Sequence, residues 1–158
     1  MNIFLLDSDI TLCAQYHVDK HCVKMILEYT QLLNNALIKH NISYEPVYRQ
    51  THKNHPASIW TAESYDNFDW LSSLAIELCG EYTHRYNKIH KCQSLIEFFR
   101  ESDYKSKLPK CGMTDFKLCM PDLYKVDSAV ESYRNYYRGD KTHIAKWSKR
   151  NVPDWWSR

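Results

Sequence analysis

Apolar residues recur at three- and four-residue spacing through the first quarter of the chain. Cys22, Met25, Ile26, Tyr29, Leu32, Leu33, Ala36 and Leu37 fall on one stripe, the mark of a helix with one buried face. Asp7, Ser8 and Asp9 precede this stripe and supply N-cap side chains. The pattern predicts a first helix that fades near His40 and Asn41. Residues 41–54 lose the periodicity, contain Pro46, and read as a polar connection. Pro56 suits the first turn of a second helix. That helix carries Ile59, Trp60, Leu71, Leu74, Ala75, Leu78, Cys79, Tyr82 and Tyr86, and is predicted to run to about Asn87, with Gly80 its one weak position. A short third helix covers Ser94 to Glu101. The stretch from Ser102 to Val126, with Pro109, Gly112 and Pro121, reads as a long ordered loop. Ser128 and Glu131 form a capping box for a helix from Ala129 to Arg138. A basic arm follows and stops at Pro153.

These elements predict an all-α fold: a compact single-domain bundle of three to four main helices with a long ordered loop, spanning residues 1–158. Its 158 residues, 44% of them hydrophobic and 25% charged, suit one domain with a real core. No apolar run approaches the length a bilayer needs, and the start of the chain has neither the basic region nor the apolar stretch of a signal peptide. The six cysteines include no C-x-x-C pair, so they are expected to be reduced thiols in the cytoplasm. The net charge of +2 conceals an asymmetry. Residues 1–80 hold 5 Lys or Arg against 9 Asp or Glu, and residues 81–158 hold 16 against 10. Basic residues interleaved with Tyr and Trp suit a nucleic-acid surface. The candidate contacts are Arg85, Tyr133, Arg134, Tyr136, Tyr137, Lys141, Lys149 and Arg150.

Candidate chemistry lies in two histidine groups. On one continuous first helix His17 and His21 share a face, and His17, His21, Lys24 and Glu28 make a polar ridge beside Lys20. The second group is Thr51-His52-Lys53-Asn54-His55-Pro56, just before a helix N-terminus whose free N–H groups attract anions. Lys53 and Asn54 there are candidate phosphate contacts. If the groups meet, two chemistries fit. Lys20 or Lys24 supplies an amine for Schiff-base chemistry on nucleic acid, with His17, His21, His52 or His55 shuttling protons and Glu28 orienting, and no cofactor is needed. Alternatively, His17, His21, His52 and His55 hold a divalent metal such as zinc in a nucleotide or nucleic-acid hydrolase. A non-catalytic DNA-binding or host-interaction protein is the third class. DNA or a nucleotide is the expected partner, and a membrane is not.

Two resemblances extend this reading. The runs Tyr16-His17-x-Asp19-Lys20-His21-x-x-Lys24-Met25-x-Leu27-Glu28, Thr51 to Pro56, Met120-Pro121-Asp122 and Tyr133 to Tyr137 resemble a group of small tailed-phage proteins. That resemblance implies the cytoplasm of an infected bacterium as the setting. The layout is also similar to the phage pyrimidine-dimer DNA glycosylases of the endonuclease V type. Gln15 and His17 fall at that family's helix Gln-His pair, His55 at its loop histidine, and Tyr133-Arg134-Asn135-Tyr136-Tyr137 at its aromatic-basic DNA-contacting segment. The resemblance implies a compact helical fold, DNA contact, and glycosylase/lyase chemistry on an N-terminal α-amine exposed by removal of Met. It also implies a catalytic Glu two helical turns after the His. Here Asn2 follows Met1, Lys24 stands two turns after His17, and Glu28 comes one turn later.

Overall fold

The first predicted helix is two helices. In the computed structural model, which describes residues 1–45 and 48–157, α1 spans Ile10–Tyr16 and α2 spans Asp19–Lys39. His17 and Val18 between them are extended, with ψ of 128° and 157°. Periodicity does not register such a break, because both halves keep their apolar faces inward. The groups that the break leaves without helical partners are met from afar. The Arg85 guanidinium donates to the Gln15 and His17 carbonyls, both at 2.8 Å. The Trp147 indole N–H donates to Tyr16 O at 2.8 Å, and the Asp19 amide donates to Lys146 O at 2.8 Å.

The second predicted helix also divides, into α3 (Pro56–Glu63) and α4 (Tyr65–Tyr86). Ser64 is fully extended and its hydroxyl caps α4 by accepting from the Asn67 amide at 3.1 Å. Asn67 then donates its side-chain amide to Trp60 O, a carbonyl freed by the break. Helix α5 spans Gln93–Glu101 and α6 spans Ala129–Asp140. The predicted Ser128 cap is present, accepting from the Glu131 amide at 3.2 Å. Gly139 lies inside α6, where any Cβ would collide with the Tyr124 ring. The intervening loop carries short 3₁₀ turns at Asp103–Lys107 and Asp122–Tyr124. The described residues are thus all-α, with six α-helices and no strand. The helix count exceeds three to four because two helices each split in two. Among the described residues no helix is long and apolar enough to cross a membrane.

Helix α4 is the central element, packed against α1, α2, α3 and α5. The polar connection after α2 is held by two buried amides. Asn34 donates to Tyr48 O and accepts from the Tyr44 hydroxyl, and Asn35 donates to Thr51 O and to the Ser58 hydroxyl. Pro46, expected within this connection, lies with Val47 outside the described residues. The N-terminal residues 2–6 are non-helical yet buried. Tyr29 OH accepts from the Phe4 amide at 3.2 Å, and the Arg134 guanidinium donates to Leu6 O at 2.8 Å. Asn2 donates to Cys119 O at 2.8 Å and accepts from the Tyr133 hydroxyl at 3.0 Å. The start of the chain is therefore fastened to α2, α6 and the long loop at once.

Arg85, read from sequence as a nucleic-acid contact, has a side chain with 0% exposure. It joins Glu81 at 2.8 Å and Asp19 at 2.9 Å. Removing one partner of a buried ion pair costs about 3–5 kcal/mol, since the other charges stay behind unpaired. Arg85→Ala is expected to lower unfolding stability by about that amount, measured by urea denaturation, whereas Lys20→Ala on the exposed face of α2 should change it by less than about 0.5 kcal/mol.

Candidate active site

The exposed end of the buried N-terminal segment meets α2 at Glu28. The Met1 side chain is 2% exposed, while the residue as a whole is only partly buried. The exposed part of Met1 is therefore its main chain. The Met1 α-amine lies 3.8 Å from Glu28 Oε2. The other carboxylate oxygen of Glu28 takes Lys24 Nζ at 3.3 Å. The carboxylate is 13% exposed and the Lys24 side chain 69%. One shielded acid thus sits between two amines, one anchored by a buried side chain and one projecting into solvent.

His55 lies within electrostatic reach of this pair. It is the N-cap of α3, its Nδ1 accepting from the Ala57 amide at 3.1 Å. An accepting Nδ1 places the proton of the neutral ring on Nε2. Burial holds the His55 pKa below its ordinary value, helped by the positive amino terminus and His52, while Glu28 opposes the shift. Those charges reach His55 because the α3 cap, the chain start and α2 converge. His52 is exposed and left-handed (φ 50°), shaping the tight turn in which the His55 amide donates to His52 O. Lys53 and Asn54 are exposed beside it. The first helix and the Thr51–Pro56 loop do meet, through Asn35 and the Thr51 carbonyl, with His55 within electrostatic reach of Glu28 and the chain start, rather than through four histidines.

His17 and His21 have different settings. The break after α1 removes them from a common helical face. His17 is fully buried; its Nδ1–H donates to Cys13 O at 2.7 Å and its Nε2 accepts from the Tyr29 hydroxyl at 2.8 Å. Both ring nitrogens are occupied, and burial lowers its pKa to about 4, partly offset by the Cys13 carbonyl. His21 stacks on Phe4 at 4.4 Å and bonds the Tyr137 hydroxyl through Nδ1 at 2.6 Å. Burial, then the charges of His17, Lys141 and Lys24, pull its pKa down to about 3. Both rings are neutral at physiological pH. Among the described residues no three His, Cys, Asp or Glu side chains converge as metal ligands would, so His17, His21, His52 and His55 do not assemble the expected quartet.

The expected DNA-contacting residues also divide. Tyr133 and Tyr137 are 1% and 0% exposed and belong to the core, because their α6 face packs on the N-terminal segment. Neither can stack on a base. Tyr136 is half-buried, with Lys141 Nζ 4.6 Å above its ring. Arg134 is held by Leu6 O and Asp7, and Arg150 by both oxygens of Glu81. The exposed Lys149 donates to His84 O. Lys20 is exposed on α2.

A family model described as pyrimidine dimer DNA glycosylase matches residues 1–94. The chain belongs to the pyrimidine dimer DNA glycosylase family. The match takes in the chain start, Glu28 and the Thr51–Pro56 loop, while α6 and the basic arm lie beyond it. No curated protein and no solved structure matches the chain. Within this family frame, the feature absent from the residue-by-residue reading is the Met1 amine, together with the Asn2 anchor behind it. The available signal was the buried-type run Ile3-Phe4-Leu5-Leu6 directly after a polar Asn2, which marks a chain start tied into the core.

The buried histidines set a pH dependence. In the folded protein His17 stays neutral down to about 4, whereas an unfolded His17 takes up a proton near 6.5. Between those values the unfolded chain binds more protons, so stability falls as pH falls. The urea midpoint is expected to drop from pH 7 to pH 4.5, and to drop less in His17→Gln. An equal drop in both proteins would remove His17 as the cause.

Proposed function

We propose that this protein is a DNA glycosylase with lyase activity on damaged pyrimidines, using the Met1 α-amine as nucleophile and Glu28 as its acid–base partner. The observation that carries the reading is the amine 3.8 Å from a shielded carboxylate, within a family described as pyrimidine dimer DNA glycosylase. An unprotonated amine attacks C1′ of the damaged nucleotide. The N–C1′ bond forms as the glycosidic bond breaks, and the base departs with its electron pair and a proton. Opening of the sugar ring, with a proton delivered to O4′, leaves a Schiff base on Met1. Loss of a C2′ proton then expels the 3′ phosphate and breaks the strand.

Glu28 is placed to move these protons, since it lies 3.8 Å from the amine and is largely shielded from water. His55 Nε2–H is a second donor, within electrostatic reach of Glu28 and the amino terminus. Lys24, exposed and on the opposite oxygen of Glu28, suits a phosphate contact better than the nucleophile. Lys20, Lys53 and Asn54 extend that polar surface, and Tyr136 with Lys141 offers a partly open ring and a cation on the α6 side. Both ring nitrogens of His17 are committed to structure, which leaves it no proton to exchange with substrate.

The test is borohydride trapping on duplexes bearing a thymine dimer or an abasic site. The covalent adduct is expected to map to Met1 and to survive chelator. Glu28→Gln should slow strand cleavage by roughly 10²–10⁴-fold, the range of a general acid–base group. Lys24→Ala should retain the adduct with weaker DNA binding. An adduct on Lys20 or Lys24 would move the nucleophile, and no adduct on either duplex would set amine chemistry aside.

A further inference from the structure

The connection between α4 and α5 inverts the usual placement of polar and apolar side chains. Asn87 ends α4 in the left-handed conformation (φ 52°), with its amide on Thr83 O at 2.8 Å. The Thr83 hydroxyl donates to Lys88 O at 3.0 Å. His90 turns inward: its ring lies edge-on to Tyr82 at 5.1 Å, its Nδ1 accepts from the Cys92 amide at 3.1 Å, and it reaches the Val23 backbone. Ile89 turns outward and is 73% exposed. Leaving an isoleucine in water forgoes the free energy of its burial, and these local bonds hold it there.

Lys88 and Lys91 flank Ile89 and are exposed, and no acidic residue occurs between Glu81 and Glu97. The His90–Val23 contact sets the loop against α2 one residue from Lys24. Exposed Lys20, Val23, Lys24 and Leu27 connect the loop to Glu28 across the helix. A helix with its side chains is about 10–12 Å wide, so the tip and the amine stand on different sides of α2, separated on the scale of a few base pairs. An apolar side chain between lysines suits a nucleic-acid groove, where phosphates take the charges and the wedge enters between base steps. A single isoleucine is too small an anchor for a membrane.

We propose that Ile89, flanked by Lys88 and Lys91, is a wedge that enters the minor groove of duplex DNA beside the lesion and helps to unstack it. This inference rests on the DNA reading above and names a contact surface for it. An amine that must reach C1′ needs a distorted duplex, and a rigid apolar tip lowers the cost of that distortion.

The experiment uses the full chain and a duplex bearing a tetrahydrofuran abasic analogue, labelled at both ends for energy transfer. Binding and bending are read at several salt concentrations. Ile89→Ser is expected to weaken binding about tenfold and reduce bending, with the salt slope unchanged. Lys88→Ala with Lys91→Ala should lower the slope of log K against log salt by about 2, since each phosphate contact contributes about 0.9. If the parent binds this duplex and cleaves one bearing a thymine dimer, while Ile89→Ser matches it in affinity and bending, the wedge is overturned and the glycosylase reading stands. If the parent binds no duplex, both fall. If Ile89→Ser loses binding to phosphatidylserine vesicles but keeps parental DNA binding, the tip belongs to a lipid surface and the wedge is overturned.

Discussion

The buried Arg85 guanidinium is the constraint on which the rest of the structure depends. It satisfies the Gln15 and His17 carbonyls where the chain leaves α1 and pairs with Asp19 where α2 begins. Glu81, one turn earlier on α4, completes its coordination and also receives Arg150 from the basic arm. Asp19 in turn accepts from the Ser148 amide and hydroxyl. A single cationic group thus ties α1, α2, α4 and the C-terminal arm together. A buried guanidinium is tolerated only when its donors are met, and here two carbonyls and two carboxylates meet them.

The direction of α2 follows from that junction, and the placement of the chain start follows from α2. His17, released from a helical position by the break, bonds Tyr29, and Tyr29 accepts from Phe4. The His17 ring therefore acts at one remove on the segment that ends at Met1. Asn2 secures the same segment from the other side through Cys119 and Tyr133. A flexible chain terminus would have to be ordered during reaction; one already anchored by buried contacts has paid that entropy on folding. Of Met1 only the main chain is left open to solvent, against a carboxylate that is itself shielded.

This arrangement separates two uses of polar residues that look alike in sequence. His17, Arg85, Tyr133 and Tyr137 carry the side chains expected of a nucleic-acid site, yet they are internal and hold the frame. Glu28, Lys24 and His55 carry the same kinds of groups at the edge of that frame. Exposure and partner count distinguish the two sets. The family match ends at residue 94, while Tyr133, Trp147, Ser148 and Arg150, from beyond it, supply contacts that stabilise the matched portion.

The sequence alone determined the helical class, the apolar stripes, and the caps at Asp9 and Ser128, because these depend on neighbours within a turn or two. The Pro56 helix start was legible for the same reason, and the Tyr16–Glu28 and Thr51–Pro56 runs already marked the helix and loop that border the site. The breaks at His17–Val18 and Ser64 were not legible. Whether an extended residue interrupts a helix depends on what satisfies the freed backbone groups, and Arg85 and Trp147 at the first break, like the Pro109 carbonyl that takes the Tyr65 amide at the second, lie far along the chain. The sequence likewise showed Glu28 and His55 as candidate groups, and the family resemblance implied an N-terminal amine, but neither showed that the Met1 amine lies against Glu28. That partnership depends on how a buried terminal segment lies across α2, which packing of Phe4, Tyr29 and Tyr133 decided. Local periodicity carries information over a few residues; long-range satisfaction of buried polar groups is settled only when the whole chain has closed around them.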